Sequence, residues 1–447
     1  MASGSNPFKS GAMRWFHDRL PILGPVHHGL FEHPYPKNLT YWWNFGSLSG
    51  FMLVIMILSG LFLAMNYVPT WDGAFASVQR IMRDVPGGDL IRRVHVVGSS
   101  LFFVVVYFHI ARSLYYGSYK PPREMVWLLG LIIYLLMSAT AFLGYVLPNG
   151  GMSFAGAEVI TGFLEVIPLV GLSIKEFILG ASTTESHTLG RFFVLHFLMP
   201  FVIVGVVLLH IVALHAKGSN NPLGVDMQGP KDTISFHPYY TWKDIFGLSL
   251  LLMVFALLVF YMPDVLGEPI NYAEADRLKT PEHIVPEWYF LHLYAMLKSI
   301  DFNLLGIPGK TLGVLAMLGA IGVLFILPLL DFHPVRSGRY RPLFKIFFWV
   351  FVVSVIVLAQ AGGQTPEDEF RLHIFWLKLD LGLSVKTIGR LLTAYYFVHF
   401  LVILPLLSIF ERALPVPNSI AEPIQPRQTV GGGVIPPALA GQEPATS

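Results

Sequence analysis

Apolar residues in this chain gather in long, nearly unbroken runs, not in the half-polar rhythm of helices that lie on a water-soluble core. The runs predict membrane-spanning helices at 43–66, 91–116, 124–147, 188–215, 243–262, 310–330, 343–362 and 386–411. Each is of a length to cross a hydrocarbon layer of about 30 Å. Two weaker apolar stretches, 152–163 and 168–179, are too short to cross and read as re-entrant or interfacial pieces. Residues 13–23 suggest a short amphipathic surface helix, and 73–83 another, ahead of a break at Pro86-Gly87-Gly88. The loop 263–309 is rich in acids and proline, with an amphipathic stretch after Pro286, and a polar insertion occupies 362–385. The expected fold is all-α, a polytopic membrane protein of eight transmembrane helices.

Composition agrees with the pattern. The 447 residues are 54% hydrophobic and only 13% charged, too much apolar surface for one soluble core. The net charge of +2 and the lack of a basic run give no reason to expect nucleic acid. No signal-peptide core is evident in the first 40 residues. There is no cysteine, which excludes disulfides, cysteine-held iron–sulfur clusters and haem attached through C-x-x-C-H. Eight spans place both termini on one side. Loop lysines and arginines favour that side as the inner, cytoplasmic one, although acids carry most of the charge asymmetry. The expected organisation is an N-terminal cytoplasmic segment with a surface helix (1–42), a bundle of the first four spans (43–217), and a C-terminal membrane part (218–412). A flexible tail rich in proline and glycine (413–447) follows.

Four histidines supply the candidate chemistry. His95 and His109 lie in the second span, His196 and His210 in the fourth, and each pair is 14 residues apart. Fourteen residues are about 3.9 helical turns, so both members face one way, roughly 21 Å apart along the axis. Two such helices side by side set His95 opposite His196 and His109 opposite His210. That makes two sites at two depths, each with an imidazole on either face of a flat metallo-macrocycle, of which haem is the obvious one. A single histidine in an apolar helix is more often packing than a ligand; two pairs with one interval are hard to obtain by accident. Gly46 and Gly60 in the first span repeat the interval, as do Gly130 and Gly144 in the third. The opposed chain directions put Gly46 and Gly130 at the inner depth and Gly60 and Gly144 at the outer, where a macrocycle edge needs a helix without side chains. Close helix packing by small residues would look the same at any one of them. Pro200, four residues after His196, removes a helical hydrogen bond and should bend the fourth span. Arg92, Arg93 and Arg112 flank the ligand helix, either as partners for haem propionates or as snorkelling residues at the membrane edge.

The segments Trp42-Trp43-Asn44-Phe45-Gly46-Ser47, Gly60-Leu61-Phe62-Leu63-Ala64-Met65, Tyr115-Tyr116-Gly117-Ser118-Tyr119, Gly218-Ser219-Asn220-Asn221-Pro222 and Pro286-Glu287-Trp288-Tyr289 together resemble the cytochrome b family. Cytochrome b is the central subunit of the quinol–cytochrome c reductase (bc1) complex. The matches run from about residue 30 to 410, and the interval of 14 in the second pair suits the bc1 type over the photosynthetic b6 type. The insertion 362–385 and the proline-rich tail depart from the compact mitochondrial form and suggest a bacterial member.

The resemblance implies two non-covalent b-type haems, a low-potential outer one on His95 and His196 and a high-potential inner one on His109 and His210. Gly46, Gly60, Gly130, Gly144, Arg92, Arg112 and Ser118 would border them. It implies an outer quinol-oxidising site with Tyr145, Gly156, Tyr294 and Glu287, the last taking or relaying a proton. A loop glutamate capping the following helix is the plainer reading of Glu287 from the residues alone. An inner quinone-reducing site would use His215, Ser219, Lys243 and Asp244, which could equally be solvated interfacial residues. His399, His187, His283 and His292 receive no role. The implied activity is quinol–cytochrome c reductase: bifurcated quinol oxidation outside, electron passage through the two haems, and quinone reduction inside, coupled to proton translocation. The implied partners are a Rieske iron–sulfur protein, cytochrome c1, quinone, membrane lipid and a second copy of the complex. The implied location is a bacterial inner membrane with both termini cytoplasmic. Two rivals are a two-haem subunit without bifurcation and a transporter whose histidines relay protons.

Overall fold

The computed structural model describes residues 10–20, 23–279, 281–374, 377–422, 429–430 and 433–434. Among them, eight helices are long and apolar enough to cross a membrane. They are Tyr41–Ala64, Gly88–Tyr116, Glu124–Val146, Ser186–Lys217, Tyr239–Tyr261, Gly309–Leu330, Pro342–Gly362 and Val385–Phe410, the first to eighth spans below. The second and fourth, at 29 and 32 residues, outrun the bilayer. At about 1.5 Å per residue the fourth is roughly 48 Å long. It starts at a capping box of Glu185 and Thr188 and contains Pro200. The second ends at Gly117, whose left-handed φ of 64° lets the chain leave the helix.

The short apolar stretches form helices Gly151–Thr161 and Gly171–Leu179, neither of which can span a bilayer. The stretch read as 73–83 is the helix Trp71–Arg83, begun by Thr70, whose hydroxyl accepts from the Gly73 amide. The expected surface helix is Gly11–Arg19, with no buried residue. After Pro286 come a single 3₁₀ turn, Trp288–Phe290, and the helix Leu291–Ser299. The insertion is not a loop. It is an antiparallel hairpin of β1 (Glu369–Ile374) and β2 (Leu377–Ser384). Residues Leu377, Leu379, Leu381 and Leu383 alternate with polar ones or glycine, a strand signal that the charged residues between them obscure.

One end of the bundle is tied by polar contacts between distant loops. Tyr35 and Pro36 pair with Ile234 and Thr233. Arg336 makes two hydrogen bonds to Asp226. Asp331, buried, receives Lys120 at 2.9 Å, Arg341 at 2.9 Å and the Tyr119 hydroxyl at 2.5 Å. Arg341 also donates to Glu411 at 2.9 Å. Past Ala413, where the flexible tail was expected to begin, Leu414 donates to the Tyr340 carbonyl and Ala421 to Asp232. The segment before the first span, three loops and the chain after the eighth span therefore meet at this end, as an even number of crossings requires. It is called the terminal end below.

Candidate functional site

The two histidine pairs meet across the second and fourth spans. The rings of His95 and His196 have centroids 6.2 Å apart, and those of His109 and His210 are 6.4 Å apart. Two imidazoles on opposite faces of one metal ion, each bonded at about 2.0 Å with the centroid about 1.1 Å behind the nitrogen, stand about 6.2 Å apart. Both pairs have that separation. Hydrogen bonds fix the tautomers of the pair remote from the terminal end. The Ser59 hydroxyl spends its hydrogen on the Ile55 carbonyl at 2.7 Å, so at 2.9 Å it accepts from Nδ1 of His95. Nδ1 of His196 lies 2.8 Å from the Thr140 carbonyl, which can only accept. In both rings the hydrogen is on Nδ1 and the lone pair on Nε2.

The pair nearer the terminal end is held differently. Arg112 Nη2 donates to Nδ1 of His109 at 3.1 Å, which assigns that ring's hydrogen to Nε2. The His210 ring hydrogen-bonds to the backbone of Val126, four residues before Gly130, as His196 does to Thr140, four before Gly144. Arg112 also donates to Ser118 Oγ at 3.4 Å, and Ser118 accepts from Asn220 Nδ2 at 3.2 Å.

Each glycine of the repeated interval faces one of these rings. A Cβ at Gly60 would lie 3.1 Å from His95, at Gly46 3.2 Å from His109, and at Gly130 3.4 Å from His210. At Gly144 it would collide with His196. The first and third spans thus lend flat backbone at both depths, in the order that the opposed chain directions require.

A cavity of about 460 Å³ opens beside the remote pair. His95, His196, Gly60 and Gly144 line one part of it, and Tyr145, Glu268, Glu287 and Tyr289 another. The second span anchors the Glu287 segment. Trp288 Nε1 donates to Ser100 Oγ at 3.2 Å, Tyr289 stacks on Phe103 at 3.9 Å, and the Tyr107 hydroxyl donates to the Tyr289 carbonyl at 2.5 Å. Glu287 precedes the 3₁₀ turn, yet its side chain makes no cap hydrogen bond; the plainer reading of the sequence is not what the fold uses. Its carboxyl is pushed up to about 7, first by burial and then by the negative charge of Glu268. The Tyr145 hydroxyl is buried without a partner among the described residues.

Other expected members of this site stand back. A Cβ at Gly156 would be 3.8 Å from the Tyr145 ring, so Gly156 sits behind Tyr145 and not on the cavity wall. Tyr294 donates to the Ile284 carbonyl at 3.1 Å, bracing the loop before Glu287. Arg92 and Arg93 both line the cavity; Arg93 lies 3.7 Å from Asp89. Glu268 and Tyr272 were not singled out in the sequence, where nothing separates them from the other polar residues of the long loop.

At the terminal end, His215, Ser219, Lys243 and Asp244 make no hydrogen bond with one another among the described residues. His215 Nδ1 donates to the Ile211 carbonyl at 2.9 Å, and its Nε2 is 3.1 Å from the Tyr35 hydroxyl. His33 packs edge-on against Tyr35 and His215, at 5.0 and 5.2 Å. Lys243 donates to the Leu39 carbonyl at 2.5 Å and lies over the rings of Tyr41 and Tyr240. Ser219 turns to the Asn220 carbonyl. Tyr35 and His33 escaped the sequence reading because they precede the first span by several residues and show no periodicity.

Known proteins share this architecture. The family described as Cytochrome b/b6/petB matches residues 30–218, and that described as Cytochrome b(C-terminal)/b6/petD matches residues 274–379. A cytochrome b of Rhodospirillum rubrum is 52% identical over 413 residues, covering 92% of this chain and 96% of its own. A Bradyrhizobium diazoefficiens protein described as cytochrome b/c1 is 50% identical over 420 residues, 94% of this chain and 57% of that relative. A solved chain described as hyperthermophilic respiratory Complex III superposes with a TM-score of 0.79 at 32% identity, over 89% of this chain and 98% of that one.

Proposed function

Because the chain belongs to the cytochrome b family, we propose that it is the two-haem, quinol-oxidising subunit of a bacterial quinol–cytochrome c reductase. The observation that carries this reading is the pair of facing imidazole couples, 6.2 and 6.4 Å apart, with glycine backbone beside every ring. His95 and His196 would hold one b-type haem and His109 and His210 the other. When bound, the haems would supply one-electron carriers at two depths, which bifurcated quinol oxidation demands of this subunit. The remote pair is already in the tautomer that ligation through Nε2 requires. For His109 to present Nε2, Arg112 must leave Nδ1 for another acceptor, and a propionate carboxylate is one. Arg92, on the cavity wall, would donate to a propionate at the remote depth.

The remote cavity would be the quinol-oxidising site, on the outer face. Glu287 as a carboxylate takes a proton from a quinol hydroxyl; with its affinity near neutrality it can also give that proton up. Tyr145, with an unspent buried hydroxyl, donates to the substrate's other oxygen. At the terminal end, on the cytoplasmic face, His215 with Lys243, Asp244 and Ser219 would serve quinone reduction. Tyr35 holds the His215 ring through Nε2. The relative described as cytochrome b/c1 supports cytochrome c1 as a partner; a Rieske protein, lipid and a second complex would be the others.

The test is a dithionite-reduced minus ferricyanide-oxidised spectrum of the purified complex, denatured samples included. The expected result is haem that reduces with a b-type α-band and leaves this chain on denaturation without covalent residue. A visible region without that band contradicts the reading and returns the histidines to proton relay.

A further inference from the structure

The hairpin β1–β2 interrupts the membrane part between the seventh and eighth spans and lies outside the proposed haem and quinone sites. Its attachment gives its direction. Gln360 Nε2 donates to the His373 carbonyl at 2.7 Å and accepts through Oε1 from the His373 amide at 2.8 Å. Gln364 does the same with Arg371, at 2.9 and 3.0 Å. Two side-chain amides, four residues apart, thus stand in for a third strand along β1. The order is reversed: the later strand residue meets the earlier helix residue. After leaving the seventh span, β1 therefore turns back alongside it, toward the bilayer and not out into water. That span has 21 residues, about 31 Å, which matches a hydrocarbon layer of about 30 Å. Gln360 is in its last turn, at the boundary.

The satisfied edge suits such a depth. Backbone groups near lipid need protein partners, and β1 has them on both sides, β2 on one and the glutamines on the other. Among the described residues the outer edge of β2 has no pairing strand, so the hairpin belongs among headgroups and not in the acyl layer. Its apolar face begins on the core, with Phe370 fully buried and Leu372 packed against the C-terminal cluster. It then overhangs. Leu379, opposite Leu372, is 44% exposed. Between the pairs Arg371–Asp380 and Glu369–Ser384 the strand bulges through Leu381-Gly382-Leu383. Gly382 takes a φ of 63°, and its amide donates to Asp380 at 2.9 Å. The bulge leaves Leu381 and Leu383 exposed as well. Both neighbouring spans carry exposed apolar side chains in their membrane-spanning length: Val353 and Ile356 on the seventh, Leu391 and Val398 on the eighth.

We propose that the hairpin is a membrane-interface anchor, its leucines Leu379, Leu381 and Leu383 resting on lipid headgroups at the end of the molecule remote from the termini. The absence of cysteine makes it testable. Leu381→Cys, Leu379→Cys and, on the opposite hairpin face, Arg371→Cys are each labelled with an environment-sensitive fluorophore in the intact complex. The parent complex, treated alike, sets the background. The complexes are reconstituted in vesicles of phosphatidylcholine and phosphatidylglycerol, with retained quinol–cytochrome c turnover as the check on folding. The expected result is at least twofold stronger quenching at positions 381 and 379 than at 371 by lipid carrying a shallow doxyl group. Aqueous iodide should show the reverse order. Equal iodide quenching at all three positions puts the leucines in water and overturns the proposal. Protection of positions 381 and 379 from both quenchers puts a protein partner there and also overturns it.

Discussion

Glu287 is the residue at which local electrostatics bear most directly on turnover. As a base it must be ionised, and with its affinity near 7 the proposed function loses rate as pH falls through neutrality. Part of that upward shift is the charge of Glu268. Glu268→Gln removes a negative charge, lowers the proton affinity of Glu287, and should move the acidic limb of the rate profile to lower pH. Glu287→Gln should slow quinol oxidation by about a hundredfold or more while both haem spectra stay intact. A pH series of steady-state turnover checks both; an unmoved acidic limb in Glu268→Gln removes Glu268 from the account. At the other face, Tyr35→Phe deletes one hydrogen bond to His215, worth about 1 kcal/mol, or roughly fivefold in rate. Quinone reduction, followed with the outer site inhibited, should slow by that factor, and quinol oxidation should not change.

Elements were legible where a period was long and uniform. The interval of 14 residues placed four histidines and four glycines on facing helices, and those rings and backbones do meet. Short signals were lost. The alternation from Leu377 to Leu383 covers only one strand, and the glutamines that complete the sheet lie in a neighbouring helix turn that no pattern links to it. Tyr35 meets His215 only because a two-residue strand pairs with residues 233 and 234, a contact across 180 positions. The buried cluster of Lys120, Asp331, Arg341 and Glu411 was invisible for the same reason. Burial pushes Lys120 down to about 8 although Asp331 opposes this, so the cluster depends on all its members. Arg341→Ala leaves Asp331 and Glu411 short of a buried partner and should destabilise the complex by about 3–5 kcal/mol, read as a lowered temperature of thermal inactivation. Haem spectra at low temperature should be unaltered.

For the whole molecule, even crossing number and paired sites are one arrangement. Two spans running the same way carry the imidazoles, two running the other way carry the glycines, and loops from five places seal the terminal end. The remote end holds the cavity, the short helices and the hairpin. The account stands on the two imidazole couples being separate redox sites in one chain. A potentiometric titration of b-type absorbance in the intact complex, repeated with His196→Asn, tests that most directly. The prediction is two one-electron components in the parent and loss of the lower-potential one in the variant. A single component in the parent, or both components surviving in His196→Asn, would contradict it.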